Sequence, residues 1–457
     1  MKCFHYICPM NLAQRDRQVI WHPYTHQKGM PDPIPIVKGE GVYLIDEHGN
    51  KYIDAISSWW VNIHGHAHPY IAEKIYEQAK TLEQVIFAGF THEPAVQLAE
   101  RLLPLLPGNF SKIFYSDNGS TAVEVGIKMA LQYWRNIGES GDRSRESGIK
   151  TQSRNKILAL NNSYHGDTFG AMSVSDRGIF TLAFQDKLFE VVFIDAQSTS
   201  TSAKASVDEP DYSQVACFIY EPLLQGAGSM KLYNATWLDS MLRKCKEQGV
   251  ICIADEVMTG FGRMGKLFAS EYCETKPDII CLSKGLTGGT MALGVTACTE
   301  KIYNAFVSDD KSKTFFHGHS FTANPLACTA ALASLDLLQR SECDQQRQMI
   351  ATKNAMFLAQ LTTCLPDRQA HHLPTGQAGS ILTKNLRQLG TILAFEIDNG
   401  KDGYLNTISS QITQMALRKG VYLRPLGNTL YIMPPYCISE EQLQRVYDVV
   451  VEILKEL

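Results

Sequence analysis

The sequence predicts an α/β protein: a large domain with a mostly parallel sheet flanked by helices, plus a smaller α+β domain. Two observations predict it. Short, near-continuous apolar runs such as "VICIA" and "IICL" alternate with stretches of helical period, the pattern of strands buried on both faces. From Thr391 onward the order changes to closely spaced strands, "TILAFEI", "VYLRP" and "TLYIMPP", with a closing helix from Glu440.

Taken along the chain, "GVYLIDEHGNKYIDA" reads as an N-terminal hairpin that joins the smaller unit. Strands are expected at Lys112–Tyr115, Ile157–Leu160, Val191–Ile194, Ala216–Tyr220, Val250–Ala254, Ile279–Leu282 and Leu293–Ala297. Helices are expected at Thr121–Trp134, Thr236–Glu247 and Pro325–Leu338. Three polar stretches read as surface insertions: Ile137–Lys156, Ala196–Asp211 and Pro366–Gln388. The expected division is an N-terminal segment, 1–75, that contributes to the small domain and the substrate pocket, a large domain, 76–340, and a C-terminal small domain, 341–457.

At 457 residues and 44% hydrophobic, the chain buries a large core and is long enough for more than one domain. Its net charge of −4 comes from mixed signs with no basic patch, so neither nucleic acid nor a membrane is an expected partner. No apolar run reaches the roughly 18 residues of a membrane span. The opening "MKCFHYICPM" has too short an apolar region for a secretory leader. Its twelve cysteines contain no C-x-x-C pair, and Cys217, Cys252 and Cys281 fall inside apolar strands. Free thiols of this kind suit a reducing, cytoplasmic location.

Chemistry concentrates where strands end. Asp255 follows "VICIA", and Lys284 follows the next strand, in "DIICLSKGLTGG". Ligands of open α/β sheets sit outside the carboxyl ends of the strands. Taken singly, each residue reads as half of an ion pair on a loop rim. Taken together they fit a pyridoxal phosphate site, in which a lysine amine condenses with the aldehyde and a carboxylate keeps the pyridine nitrogen protonated. Such a cofactor needs a phosphate anchor. In "YSDNGSTAVEV" a strand ends at Tyr115 and a helix starts behind Asn118-Gly119-Ser120, which offers free N–H groups and the positive end of a helix dipole. The same residues also make an ordinary N-cap. Tyr164, in "NNSYHGDTFGA", can stack on a flat ring. The glycines after Lys284 are expected to let backbone pass close to that ring.

"ADEVMTGFGRMGKLFA", "LSKGLTGG", "NSYHGDTFGAMSVSD" and "HSFTANPLACTAA" resemble the class III, fold type I pyridoxal-phosphate aminotransferases, and the likeness spans the chain apart from the insertions. "WHPYTHQK", "SSWWVNIHGHAHP", "VEVGIKMALQYW" and "GVYLRPLGNTLYIMPPY" are similar to the branch that serves biotin biosynthesis. That branch aminates 8-amino-7-oxononanoate, with S-adenosylmethionine the expected donor. The alternative is another class III enzyme for ω-amino acids or diamines. Position by position, the resemblance implies that Lys284 forms the Schiff base and Asp255 holds the ring nitrogen. It puts the phosphate on Gly119 and Ser120, Tyr164 on one face of the ring and Val257 on the other. Tyr24 is implied in catalysis and, with Trp59 and Trp60, in an aromatic substrate pocket. Asp167 helps hold the donor, and Arg424 takes the substrate carboxylate. Gly318, His319 and Ser320 are implied to reach the phosphate site of the partner subunit in a homodimer. The chain departs from the class at Met258, where glutamine is common, and at His319, where proline is common.

Two other motifs read differently. Gly260-Phe-Gly-Arg-Met-Gly265 matches the glycine pattern of dinucleotide sites, but no helix opens at its end. His64, His66 and His68 alternate, yet lack a fourth ligand nearby, so no metal is expected and the segment reads as a loop beside the substrate pocket.

Overall fold

The computed structural model describes residues 10–138, 154–196, 210–364 and 382–457. A seven-stranded sheet dominates it, in the order Phe110–Ser116, Gly294–Thr299, Ile279–Leu282, Ile251–Asp255, Val215–Tyr220, Lys156–Leu160, Val192–Ile194. All run the same way except Gly294–Thr299, which is antiparallel to both its neighbours. Side chains of the central strands alternate between two apolar layers. Ile251 and Ile253 pack with Val123, Ile127 and Ala130 of helix Gly119–Asn136, while Cys252 and Ala254 face the opposite layer. Burial on both faces is why these strands lack polar alternation in the sequence.

Strand and helix positions follow the expectation with ends moved by a residue or two. Val250–Ala254 becomes Ile251–Asp255, so Asp255 is itself the last residue of its strand. Most of each insertion (139–153, 197–209 and 366–381) lies outside the described residues. The end of the third is different: Leu382–Leu389 forms a strand, antiparallel to Ile392–Asp398. It is one of the two edge strands of a three-stranded sheet completed by Thr429–Ile432, a position where polar residues are tolerated. Arg387, on that edge, donates from Nε to the Met230 carbonyl at 2.6 Å.

Helices Ser341–Cys364 and Glu440–Glu456 accompany this smaller sheet, and Phe357 stacks on Tyr447 between them at 4.2 Å. The N-terminal strands Ile36–Glu40, Tyr43–Asp46 and Lys51–Asp54 form a further sheet whose last member is Val421–Tyr422. Lys51–Asp54 and Val421–Tyr422 are parallel, so the segments leaving them emerge side by side. One carries Trp59 and Trp60; the other carries Arg424.

Candidate active site

A cavity of about 640 Å³ opens at the carboxyl edge of the large sheet. Every central strand delivers a wall to it. Asn118–Ser120 follow Phe110–Ser116, Tyr164–Thr168 follow Lys156–Leu160, and Glu221 follows Val215–Tyr220. Asp255 and Val257 come from the next strand, and Ser283 and Lys284 from Ile279–Leu282.

Lys284 is held in a left-handed backbone conformation, with φ of 47°. Its Nζ lies 4.8 Å from the centroid of the Trp60 ring. Burial pulls its pKa below the usual lysine value, and the carboxylates of Asp255 and Glu221 oppose that shift. The result is an amine closer to its neutral, nucleophilic form. Gly289 lines the cavity, and at both Gly288 and Gly289 the space a side chain would need is already filled by protein. A Cβ on Gly288 would meet the His64 ring at 2.9 Å, and one on Gly289 would meet the Asn62 backbone at 2.9 Å. They seat the lysine turn against the segment after Trp60, so their close partner is protein.

Asp255 is 4% exposed. Its Oδ1 accepts from the Val257 N–H at 3.1 Å, and His165 Nδ1 donates to Oδ2 at 2.7 Å. The carboxylate can only accept, so the His165 proton sits on Nδ1. His165 Nε2 is buried with no hydrogen-bond partner. Glu221 accepts from the N–H of Tyr164 at 3.1 Å and of Gly226 at 3.0 Å, and burial pushes its carboxyl up to about 7.

Helix Gly119–Asn136 begins at the cavity, with Asn118 as N-cap accepting from the Thr121 N–H. Gly119 packs so closely that a Cβ would sit 2.6 Å from Val257 Cγ1. The Tyr164 loop is clipped to this helix. Ser120 Oγ accepts from the Asp167 N–H at 3.2 Å, and Glu124 accepts from the N–H groups of Gly170 and Ala171. Gly166, with φ of 133°, is required there because a Cβ would fall 2.0 Å from Ser120 Oγ.

Two smaller chambers flank Trp59. One, of about 300 Å³, is lined by Tyr24, Trp59, Trp60, Tyr164, Asp167, Phe180, Tyr404 and Lys284. There the Tyr24 hydroxyl donates to Asp167 Oδ2 and lies 3.2 Å from the Tyr164 hydroxyl. Burial, with Asp167, raises the Tyr24 pKa, so its proton stays on. The other chamber, about 490 Å³, is lined by Ile34, Ile36, Leu44, Trp59, Leu417, Tyr422 and Arg424. The Arg424 guanidinium stands 4.7 Å from the Trp59 ring centroid.

Asp54 fixes the tryptophan turn. Its carboxylate accepts from the N–H groups of Ile56 and Ser58, and His66 Nε2 approaches Oδ2 at 3.0 Å. His64 instead meets Ser334 Oγ at 3.0 Å, and burial lowers its pKa to about 3. His66 thus braces the turn while His64 is tied to helix Pro325–Leu338, and no cluster of metal ligands occurs among the described residues. Gly318, His319 and Ser320 do not line the cavity of their own chain. His319 Nδ1 lies 3.4 Å from Asp117 Oδ2, and the Ser320 carbonyl accepts from Gln84 Nε2.

Residues 24–454 match the family Aminotransferase class-III. The chain belongs to the class III aminotransferases. It is 44% identical over 449 residues to an adenosylmethionine-8-amino-7-oxononanoate aminotransferase of Synechococcus elongatus, covering 96% of this chain and 99% of the relative. An enzyme of the same name from Helicobacter pylori is 36% identical, with 98% of each chain covered. The crystal structure of another, from Methanocaldococcus jannaschii, superposes with a TM-score of 0.86 at 34% identity over 97% of this chain and 98% of that one.

Class III aminotransferases use pyridoxal phosphate, and the residues of this cavity fit it. The donor set has the right chemistry: an amine of lowered pKa, a buried carboxylate oriented by two hydrogen bonds, and a helix N-terminus whose first N–H groups lack intrahelical acceptors. Tyr164 and Val257 border the space between them. His165, Glu221, Phe180 and Tyr404 are the wall residues that sequence reasoning missed. Glu221 follows the apolar run "ACFIY" as Asp255 follows "VICIA", so the strand-end rule had the means to find it.

Proposed function

We propose that this chain transfers an amino group to the ketone of 8-amino-7-oxononanoate, forming 7,8-diaminononanoate for biotin biosynthesis, with S-adenosylmethionine as donor. The relatives' names motivate the substrates, and one observation of the chain itself carries the reading. Arg424 lines a largely apolar chamber beside Trp59, an arrangement suited to a long alkyl chain ending in a carboxylate.

When bound, pyridoxal phosphate supplies an aldehyde that links to amines and a protonated ring that withdraws electrons from the attached carbon. The chain's residues do the rest. The N–H groups of Gly119 and Ser120 would hold the phosphate, with Tyr164 and Val257 available as walls for the ring. Asp255 holds the proton on the ring nitrogen, and His165 holds Asp255. With the cofactor bound, the Lys284 amine would serve as the general base and acid that removes the proton from the donor carbon and supplies one to the acceptor carbon. Tyr24 and Asp167 position the donor against Tyr164. Trp60, anchored through Nε1 to the Tyr431 hydroxyl at 2.9 Å, walls the lysine side.

Gly318, His319 and Ser320 complete the phosphate site of the partner subunit in a homodimer; their position outside their own cavity supports this assignment. The unit 76–340 holds the cofactor, while 1–75 and 341–457 build the substrate walls, supported by the pairing of Lys51–Asp54 with Val421–Tyr422. Free cysteines such as Cys217, Cys252 and Cys281 support a cytoplasmic location, and no described helix is long and apolar enough to cross a membrane.

The test is amination of 8-amino-7-oxononanoate with S-adenosylmethionine, lysine or glutamate as donor, with mass detection of the diamine. Diamine formed with S-adenosylmethionine is expected. No product with any donor would overturn the acceptor, and product with lysine alone would overturn the donor.

A further inference from the structure

The small chamber holds an unusual concentration of aromatic edges and faces. Phe180 lies 5.8 Å from Tyr24, 5.9 Å from Tyr164 and 4.6 Å from Tyr404, centroid to centroid, and Tyr24 lies 5.4 Å from Trp59. All these pairs meet at steep angles, so they do not stack flat and close the space between them. One carboxylate, Asp167, joins them, and Lys284 opens onto the same chamber. Aromatic faces with a single carboxylate make a site for a soft cation.

We propose that Phe180 and Tyr404 are the donor-selecting walls of this chamber, forming with Tyr24, Trp59 and Tyr164 an aromatic cage for the sulfonium cation of the donor. The proposal rests on the reading that S-adenosylmethionine is the donor, and it adds which residues distinguish that cation from a neutral amine donor of similar shape. Neither wall residue belongs to a strand end. Phe180 precedes the short helix Leu182–Lys187, and Tyr404 arrives from the smaller unit.

Tyr404 reaches the chamber on a loop built to hold it. Asn428 Oδ1 accepts from the Gly403 N–H at 3.2 Å, and Asn428 Nδ2 donates to Asp402 Oδ1 at 2.9 Å. Asn399 and Asn406 exchange side-chain hydrogen bonds at 3.1 and 2.8 Å across the base of the loop. Gly427, with φ of 60°, lets the two segments touch, since a Cβ there would fall 2.0 Å from the Gly403 carbonyl oxygen and 2.7 Å from Tyr404 Cα. The turn that grips Tyr404 is also the turn that follows Arg424. Donor wall and acceptor arginine are thus set on one support, on either side of Trp59.

The test compares the donor half-reaction of the loaded enzyme with S-adenosylmethionine and with S-adenosylhomocysteine, its neutral thioether counterpart. The wild-type enzyme is expected to prefer the sulfonium. Phe180→Leu and Tyr404→Leu should each lose roughly five- to thirty-fold of that preference, the span of a desolvated cation–π contact. Tyr404→Phe, which keeps the ring, should retain it. The KM for 8-amino-7-oxononanoate should change little in all three, which separates cage loss from general damage. Equal losses for both donors, a parallel rise in the acceptor KM, or a wild type blind to the charge would overturn the cage. Amination with lysine and not S-adenosylmethionine would overturn it while leaving the acceptor reading in place. A charge preference without amination of 8-amino-7-oxononanoate would sink the acceptor and leave the cage standing.

Discussion

His165 Nδ1 donates to Asp255 Oδ2 at 2.7 Å, with both side chains buried. The contact leaves the carboxylate no freedom to turn away from the cavity, since its other oxygen is taken by the Val257 N–H. A hydrogen bond to a buried charge contributes about 1.5–3 kcal/mol. His165→Leu should therefore lower kcat about 10- to 100-fold and weaken retention of pyridoxal phosphate, while KM for the donor moves less. Equilibrium dialysis of the cofactor alongside steady-state kinetics checks it. An unchanged kcat would remove His165 from this role.

Lys284 gives a prediction in the cofactor-free protein as well as in the enzyme. Lys284→Met should abolish turnover, because no other described amine lines the cavity. It should also stabilise the cofactor-free fold. The folded pKa lies below the lysine value of 10.5, so between the two the unfolded chain carries a proton that the folded chain lacks. Stability from this group then rises with pH across that window, and the advantage of the Met variant shrinks. Urea midpoints from about pH 7 to about pH 10 would show this. An advantage that grows with pH would contradict the burial argument.

The sequence displayed the sheet and its reacting edge clearly, because both rest on local pattern. Asp255 and Lys284 stand at the ends of runs buried on both faces, and Asn118 marks the helix start by its capping chemistry. What it did not display depends on distant segments. Tyr404 meets Phe180 only because Gly427 admits the Gly403 carbonyl, and nothing near Phe180 signals that contact. The glycines after Lys284 were legible as a close approach, but their partner, the Asn62 backbone, lies far away in the chain. The strand Leu382–Leu389 was hidden for another reason: at a sheet edge its polar residues look like a loop.

Glu221 is a titrating group inside the core of the site. Burial raises its carboxyl to about 7 from an unfolded value of 4.5, so the folded chain holds the proton more tightly between those values. The sign follows: stability contributed here is full below about pH 4.5 and is lost as pH rises toward 7. The loss amounts to at most about 3 kcal/mol. Glu221→Gln should abolish that fall, so denaturant titrations of the two proteins should converge in acid and part near neutrality. Parallel curves across the range would show that Glu221 ionises normally in the fold.

Arg424 and Trp59 should act as one unit toward the acceptor. The guanidinium lies over the indole, 4.7 Å from its centroid, which pre-orients its fork in the apolar chamber. Arg424→Ala should raise the KM for 8-amino-7-oxononanoate by about 100-fold, with a far smaller effect on the donor. Arg424→Lys should recover little, since an ammonium has neither the fork nor the flat face. Trp59→Leu should raise the acceptor KM about five-fold in the wild-type background. In the Arg424→Ala background it should add clearly less to that KM, because part of its contribution is to hold the arginine and the rest is direct contact with the acceptor chain. Its effect on S-adenosylmethionine should persist in both backgrounds, because Trp59 also walls the smaller chamber. A double-mutant cycle on both substrates measures this, and additive losses on the acceptor would show that the stack does not orient Arg424.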